Sequence, residues 1–570
     1  MYAARPATPS TSIRSVASVG WTPKSALIAS SICVRWVITM PASAASSARR
    51  SSSEDAAGAR SVTIPPVTFP WWRSAIVYQI YPRSFADADG DGVGDLRGIA
   101  GRLEHVRDLG ADAVWLSPIY RSPMADFGYD ISDHTDVDPI FGTLADADAV
   151  IARAHELGLR VLLDFVPNHT SDRHPWFEES RNGIHSARRS WYVWRPGARA
   201  PNNWISSFGE QRPAWTRDER TGEWYLHSFL PQQPDLNWGE PAVAEAMHEV
   251  LRFWLRRGVD GFRIDVAHKI GKDPALGDNQ PGLRHDENWP SVHARLAAIR
   301  QVLEEFDGDR VAIGEVYVLD QRALAEYVVA GDGLHLAHNF FVLNLPWSAT
   351  AFRAAVDEFE DLTREGGWPA WCLNNHDHSR TATRYGHERA RVAAMLVLAL
   401  RGTPFLYQGE ELGLTDAHVP ADRIVDVDGR DPERAPMPWA PPTQAGAAAG
   451  FGDGEPWLPV HPDAERLAVA AQAGDPDSML ELYRTLIALR RAESALREGA
   501  YRSLDAAPDV FAFVREHGRR RLLVALNFAP FPRPLPEQAA GGRLLLSTHR
   551  DPSVAELWPD EGRIIEIAAS

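Results

Sequence analysis

The chain has 570 residues, 44% of them hydrophobic, and carries 59 basic and 76 acidic side chains for a net charge of −17. The hydrophobic content suffices for a large core and excludes a wholly disordered chain, and the acidic balance argues against a nucleic-acid partner. The two cysteines, Cys33 and Cys372, cannot form a disulfide framework or a zinc site with cysteine spacing.

The N-terminal segment, residues 1–70, is predicted to be a disordered tail or an upstream extension, because it is rich in serine and alanine. Within it, Ser25–Met40 has some features of a signal peptide, but Arg35 interrupts the apolar stretch. No apolar run approaches the ~18 to 20 residues of a membrane span. We therefore expect a cytoplasmic protein with no membrane partner, and secretion is the alternative.

From Trp71 onward, short apolar runs alternate with amphipathic stretches. The predicted strands are Ile76–Tyr81, Ala113–Pro118, Arg160–Val166, Gly261–Val266, Val311–Val316, Leu336–Phe341, Ala370–Asn375 and Thr403–Gln408. The predicted helices are Leu96–Leu109, Leu144–Leu157, Val243–Arg257, Ser291–Phe306, Arg322–Val329, Ala351–Leu362, Glu388–Leu400 and Ser478–Arg491. Eight such units favour a (β/α)₈ TIM barrel, an α/β fold. An open doubly wound sheet is the alternative, but its glycine-rich turn is absent after the first strand.

Two further parts complete the predicted domain organisation. The barrel would comprise 71–168 and 240–497, interrupted by an inserted domain B at 169–239 that is too long for a simple loop. Seven of the 20 tryptophans lie in this insertion, and tryptophan often provides a flat stacking surface. Strand-like segments after Glu498 predict a C-terminal antiparallel β domain at 498–570.

Three carboxylates follow predicted barrel strands, at the end of the barrel where active sites are found. They are Asp265, Glu315 and Asp377, and Arg263 precedes Asp265 by two residues on the same strand face. Converging carboxylates suggest glycoside hydrolysis, whose retaining form uses one carboxylate nucleophile and one carboxylic acid. Arg263 should favour the ionised form of Asp265. A metal site is the alternative, but Arg263 would repel a cation.

These segments resemble the conserved regions of glycoside hydrolase family thirteen, the α-amylase family, in its oligo-1,6-glucosidase and α-glucosidase subfamily. The similar segments are Tyr78–Phe85, Gly128–Ile131, Asp164–His169, Gln233–Trp238, Gly261–Val266, Ile313–Val316, Asn374–Asp377 and Gly402–Glu411. The resemblance runs from about Trp71 to the C-terminus and implies roles for individual residues.

The resemblance implies that Asp265 is the nucleophile, Glu315 the general acid/base and Asp377 a third carboxylate that binds sugar hydroxyls. It implies substrate binding by a further set of residues: Asp126, Tyr129, His169, Phe208, Arg263, His376 and Arg430. Tyr129 would stack on the sugar ring and Arg263 would position Asp265. Arg434 is kept as a structural partner of Arg430, and core packing is the alternative role of Phe208.

An acidic loop follows the first strand, with carboxylates at alternate positions and glycines between them. Such a loop can wrap a cation, but the twelfth position is Gly98, so it is not an EF-hand. The resemblance implies one structural Ca²⁺ and no organic cofactor. Its ligands would be Asp87, Asp89, Asp91, the Val93 carbonyl and Asp95. A solvated acidic turn is the alternative.

The resemblance implies a retaining exo-acting α-glucosidase that releases α-glucose from the non-reducing end of short α-glucosides of the maltose or isomaltose type. The partner is a small oligosaccharide, and the enzyme is expected to be a monomer or homodimer. Val266, after the nucleophile, favours α-1,6 linkages, whereas Ala267 and His268 are more similar to maltose-type α-glucosidases. The alternatives are an oligo-1,6-glucosidase and a transglycosylating relative of the sucrose isomerase or trehalose synthase type.

Overall fold

The structure, a computed structural model, describes residues 69–209 and 212–568. Apart from Phe69 and Pro70, the predicted N-terminal tail lies outside the described residues. Among the described helices, none has the length and apolar character needed to cross a membrane.

Eight parallel strands form the central sheet, in the order six, five, four, three, two, one, eight, seven. They are Val77–Ile80, Ala113–Leu116, Arg160–Phe165, Gly261–Ile264, Val311–Gly314, Leu336–Ala337, Ala370–Trp371 and Thr403–Tyr407. A parallel bridge between His338 and Ala370 joins the sixth strand to the seventh. The strands therefore close into the predicted (β/α)₈ barrel.

The barrel helices are Leu96–Leu109, Leu144–Glu156, Pro241–Arg256, Ser291–Glu304, Gln321–Val329, Ala349–Leu362, His387–Ala399 and Met479–Ala492. Local sequence explains several of their ends. Asp95 caps the first helix by accepting from the Gly98 amide, and Gly110 ends it in the left-handed region. Thr143 and Asp146 form a capping box at the second helix.

The predicted sixth strand, Leu336–Phe341, is wrong in its second half. The strand ends at Ala337, and Phe340–Leu343 is a short helix. The side chain of Asn339 accepts from the amides of Phe341 and Val342, so it caps this helix. An apolar run of this kind is compatible with a longer strand or with a buried helix. The Asn339 cap favours the helix.

The stretch predicted to be domain B contains a three-stranded antiparallel sheet of Trp194–Arg195, Trp215–Arg217 and Trp224–Leu226, and a helix at Pro175–Ser180. Its tryptophans differ from our expectation of open stacking surfaces. Trp204 and Trp215 are buried in a small core of the insertion, with 1% and 3% of their surface exposed. Leu226 and Val193 pack with these tryptophans, so the large indole rings fill the core of the insertion rather than line an open surface.

The C-terminal part is an antiparallel sheet of Ala500–Leu504, Val510–His517, Arg520–Asn527, Gly562–Glu566 and Arg543–Ser547, in that spatial order. The strand Ala500–Leu504 was not predicted, because its exposed residues alternate with half-buried ones and give little apolar signal. Its neighbour Val510–His517 is almost wholly buried and packs against the barrel helix Ala349–Leu362.

Candidate active site

The three predicted catalytic carboxylates lie beyond the carboxyl ends of the fourth, fifth and seventh barrel strands. The amide of Asp265 donates to the Phe165 carbonyl and the amide of Glu315 donates to the Ile264 carbonyl, each at 2.8 Å. These bonds extend the barrel ladder by one residue beyond the strands. The backbone under both side chains is therefore fixed by the barrel itself.

Arg263 holds the carboxylates together from the fourth strand. Its Nη1 donates to Asp265 Oδ1 at 2.7 Å and to Asp164 Oδ1 at 2.6 Å. Its Nη2 lies 2.7 Å from Glu315 Oε2. The Arg263 side chain is 1% exposed, so these contacts form out of reach of bulk water. Burial of this kind strengthens each electrostatic contact.

Asp265 is harder to ionise than the presence of Arg263 alone predicts. Burial and then the neighbouring Glu315 raise the pKa of Asp265 well above its ordinary value, and Arg263 acts in the opposite direction. Arg263 therefore favours the carboxylate as predicted, but burial and the second carboxyl group outweigh it.

Backbone strain lies next to Asp265. Val266 has φ 35° and ψ 48°, in the left-handed region that a β-branched residue avoids. In this conformation its amide donates to Glu315 Oε2 at 3.0 Å. The strained residue thus connects the fourth strand to the Glu315 carboxyl group, in the manner of strain stored at functional sites.

Asp377 is bound by two arginines of the loop that follows the eighth strand. Arg430 Nη1 and Arg434 Nη2 lie 3.0 and 2.9 Å from its Oδ1. Burial acts to raise the pKa of Asp377, but His376 and the two arginines together hold it below its ordinary value. Asp377 is consequently ionised throughout the physiological range.

Arg430 connects Asp377 to the other side of the site. Its Nη2 lies 2.6 Å from both Asp126 Oδ1 and Asp426 Oδ1. The ring of Phe208 lies under the guanidinium, with 4.7 Å from Cζ to the ring centroid. Phe208 is half-buried and also contacts Phe229, so packing and cation–π contact both describe its position.

His376 has a defined tautomer. The Gln79 amide nitrogen lies 2.7 Å from its Nδ1 and can only donate, so the ring proton is on Nε2. Nε2 lies 2.8 Å from the Tyr129 hydroxyl. The Tyr129 and His376 rings stack at 5.5 Å, and burial lowers the pKa of His376 well below its ordinary value. His376 is thus a neutral donor.

His169 lies between the barrel and the insertion. Its Nε2 is 3.2 Å from the Gln233 amide nitrogen, which also donates to Asp126 Oδ2 at 2.9 Å. Its Nδ1 is 3.1 Å from the Asn168 amide nitrogen. Burial lowers the pKa of His169 to about 4, so this ring is neutral too.

The site therefore contains all ten residues that the sequence proposed, together with several that it did not assign: Gln79, Asp164, Gln233 and Asp426. Asp164 offered a signal, since it is a charged residue inside the apolar run Arg160–Phe165. Gln79 and Gln233 lie within segments that resemble the family's conserved regions, but glutamine side chains commonly face solvent. Asp426 precedes Arg430 by four residues in the same loop, but no motif of the sequence marked it.

The acidic loop brings three of its predicted ligands together. Carboxylate oxygens of Asp87, Asp89 and Asp95 all lie within 4.8 Å of one another. Asp91 is outside this group, and its Oδ1 accepts from the Val93 amide at 2.8 Å. The grouping thus covers fewer side chains than the sequence predicted.

Comparison with known proteins agrees with this geometry. The sequence profile of the alpha-amylase catalytic domain matches residues 79–499. The chain belongs to the α-amylase family. It is accordingly a glycoside hydrolase, and the resemblance proposed from the sequence is confirmed.

Individual members of the α-amylase family are similar over most of this chain. A probable alpha-glucosidase of Rhizobium meliloti (strain 1021) is 42% identical over 502 residues, which cover 80% of this chain and 89% of that protein. An oligo-1,6-glucosidase of Parageobacillus thermoglucosidasius is 37% identical over 516 residues, covering 80% and 90%.

Two solved structures have a fold similar to that of this chain. The structure of XgtA, described as an alpha-glucosyl transfer enzyme, has a TM-score of 0.82 at 38% identity and covers 88% of this chain and 100% of its own. The trehalulose synthase MutB from Pseudomonas mesoacidophila MX-45 has a TM-score of 0.82 at 33% identity with the same coverage.

Proposed function

We propose that the protein is a retaining, exo-acting α-glucosidase that releases α-glucose from the non-reducing end of short α-glucosides. The observation that carries this proposal is the contact of Asp265 and Glu315 with the same guanidinium, each at 2.7 Å from Arg263. Retaining glycosidases need two carboxyl groups about 5 to 5.5 Å apart. A shared guanidinium supports a close separation of this kind.

In the proposed reaction, Glu315 protonates the glycosidic oxygen while Asp265 forms a bond to the anomeric carbon. The leaving group departs with the proton, and a covalent glucosyl-enzyme remains. Glu315 then takes a proton from water, which attacks the anomeric carbon and releases glucose with its configuration retained.

The remaining polar groups are proposed to bind the hydroxyls of the terminal glucose. The neutral His376 and His169 are proposed to form hydrogen bonds with these hydroxyls, and the ionised Asp377 can accept from hydroxyl protons. Arg430 fixes Asp126 and Asp377 relative to each other, and Phe208 lies against it. Such buried, mutually bonded groups are positioned before substrate arrives.

A transglycosylating enzyme is the second candidate. XgtA and MutB, named for glucosyl transfer and trehalulose synthesis, have structures similar to this chain. Transfer and hydrolysis share the glucosyl-enzyme and differ in whether a sugar or water attacks it. The relatives named alpha-glucosidase and oligo-1,6-glucosidase favour hydrolysis. The preference between α-1,4 and α-1,6 linkages is tested by comparing maltose with isomaltose.

We further propose one structural Ca²⁺ at the acidic loop. Asp87, Asp89 and Asp95 group their oxygens, and no cationic side chain of the described residues pairs with these three carboxylates. Hard divalent cations prefer such oxygen ligands. The ion would stabilise the contact between this loop and the segment near Phe451, whose carbonyl accepts from the Asp87 amide at 2.8 Å. We also propose a cytoplasmic monomer or homodimer.

The decisive experiment is a hydrolysis panel of maltose, isomaltose, sucrose, trehalose and starch with the purified protein. Free α-glucose from the disaccharides, with little from starch, is expected. Isomerised disaccharide in place of glucose would contradict the proposal and favour the second candidate. Asp265→Ala should abolish nitrophenol release from a nitrophenyl α-glucoside, and retained activity would remove Asp265 as the nucleophile.

A further inference from the structure

Asp164 is a buried carboxylate that the proposed mechanism does not use. It lies in the third strand, and its register partner in the fourth strand is Arg263. Arg263 Nη1 gives one hydrogen to Asp164 and the other to Asp265, at 2.6 and 2.7 Å. Both hydrogens of that nitrogen are therefore divided between a catalytic carboxylate and one outside the reaction.

The charge in this cluster is unbalanced. Asp164, Asp265 and Glu315 all contact Arg263, and their side chains are 0%, 8% and 13% exposed. Three carboxyl groups thus share one permanent positive charge in a poorly solvated place. Each negative charge removed from the cluster makes the remaining carboxyl groups easier to ionise.

The groups that face Asp164 come from each neighbouring element. From the second strand, Trp115 Nε1 donates to Asp164 Oδ2 at 3.0 Å, and the Tyr129 hydroxyl after it donates at 3.2 Å. The fourth strand and its end supply Arg263 and Asp265. The end of the fifth strand supplies Glu315. The seventh strand contributes His376, which reaches Asp164 through the Tyr129 hydroxyl, and Asp377, which Arg430 and Arg434 neutralise.

We propose that Asp164 is a positioning residue that competes with Asp265 for Arg263 and thereby raises the pH at which Asp265 ionises. Burial raises the pKa of Asp164 to about 6, so its charge is present at neutral pH. That charge disfavours ionisation of Asp265. Removing it should lower the pKa of Asp265.

This inference rests on the proposed function, because it is read from the pH dependence of kcat/KM on a nitrophenyl α-glucoside. In Asp164→Asn, the acid limb, which reports ionisation of Asp265, should move to lower pH by roughly half a unit or more. The limbs are normalised to each variant's own maximum, so a partly folded preparation does not displace them.

The matched control is Asp260→Asn. Asp260 is a buried carboxylate just before the fourth strand, and it pairs with Arg160 and Arg310 at the opposite end of the barrel. This variant should be less heat-stable with the acid limb unmoved. If the acid limb of Asp164→Asn is equally unmoved, or moves to higher pH, the residue is merely structural and the inference is overturned.

A second variant keeps the test valid if Asp164→Asn folds poorly. The new amide nitrogen would face Trp115 Nε1, which is also a donor, so Asp164→Asn with Trp115→Phe removes that conflict. The double variant is compared with Trp115→Phe alone, and the same shift of the acid limb is expected. Absence of turnover in the wild-type enzyme would contradict the proposed function, whereas turnover with an unmoved acid limb would contradict this inference alone.

Discussion

Arg430 binds Asp377 across the mouth of the barrel, with 3.0 Å between Nη1 and Oδ1. The two residues are 53 positions apart in the chain. The same guanidinium contacts Asp126 and Asp426, so one cation aligns three carboxylates from three loops. Arginine suits this role because its planar guanidinium offers five donors in fixed directions.

The first prediction concerns this arrangement. Arg430→Lys keeps the charge but can satisfy fewer of the carboxylates at once, so Asp126 and Asp377 should lose their relative position. We expect kcat/KM on a nitrophenyl α-glucoside to fall roughly 100-fold. Arg423→Lys is the control. Arg423 lies earlier in the same loop than Arg430, and it pairs with the exposed Glu455. Unchanged kcat/KM in Arg430→Lys would show that the alignment has no catalytic role.

The second prediction concerns Ca²⁺ at the acidic loop. A chelator should lower the Tm of the wild-type protein, and added Ca²⁺ should restore it, by roughly 5 °C. Asp89→Ala should abolish this response, and it is preferable to Asp95→Ala because Asp95 also caps a helix. Asp108→Ala, an exposed acidic residue on that helix, should respond like the wild type. A wild-type Tm indifferent to both reagents would contradict the site.

The third prediction concerns linkage preference. The Val266 side chain lies beside Asp265 and is 7% exposed, so a hydroxyl there changes the polarity next to the reacting carbon. We expect Val266→Thr to shift the ratio of kcat/KM for maltose over isomaltose toward maltose, by roughly tenfold. Val259→Thr, buried before the same strand, should lower the Tm and leave the ratio unchanged. Equal ratios in both variants would remove Val266 as a specificity residue.

The fourth prediction concerns stability at low pH. Burial lowers the pKa of several histidines from 6.5 to about 4 or about 3: His134, His169, His268, His335 and His338. The unfolded chain binds these protons below pH 6.5, whereas the folded protein does not until pH nears 4. Stability should therefore fall as pH drops through this window, by about 1.4 kcal/mol per pH unit for each histidine.

His338 allows a direct test of this effect. Both of its ring nitrogens are buried without a hydrogen-bond partner among the described residues, and it packs against Trp115 and Phe405. His338→Met should make the Tm less dependent on pH between 6.5 and 4. His185→Gln, at an exposed position, should leave the dependence as it is in the wild type. The same slope in all three proteins would contradict the prediction.

The barrel was largely predictable because alternation of strand and helix is a local pattern. The first helix, Leu96–Leu109, agrees with the prediction at both ends, since Asp95 and Gly110 mark them in the sequence. The sixth strand was overestimated because its apolar run has no period that separates strand from buried helix. The tryptophans of the insertion were misjudged for a related reason, since composition does not reveal which face a side chain presents.

The sequence by itself determined the order of the elements, the family and the names of the residues at the strand ends, because these depend on spacing along the chain. Only the tertiary structure decided how those residues share their charges. Arg263 divides its hydrogens between Asp164 and Asp265, and Arg430 reaches Asp126 over 304 positions. Ionisation depends on burial and on distances through space, and neither quantity is a property of the sequence order.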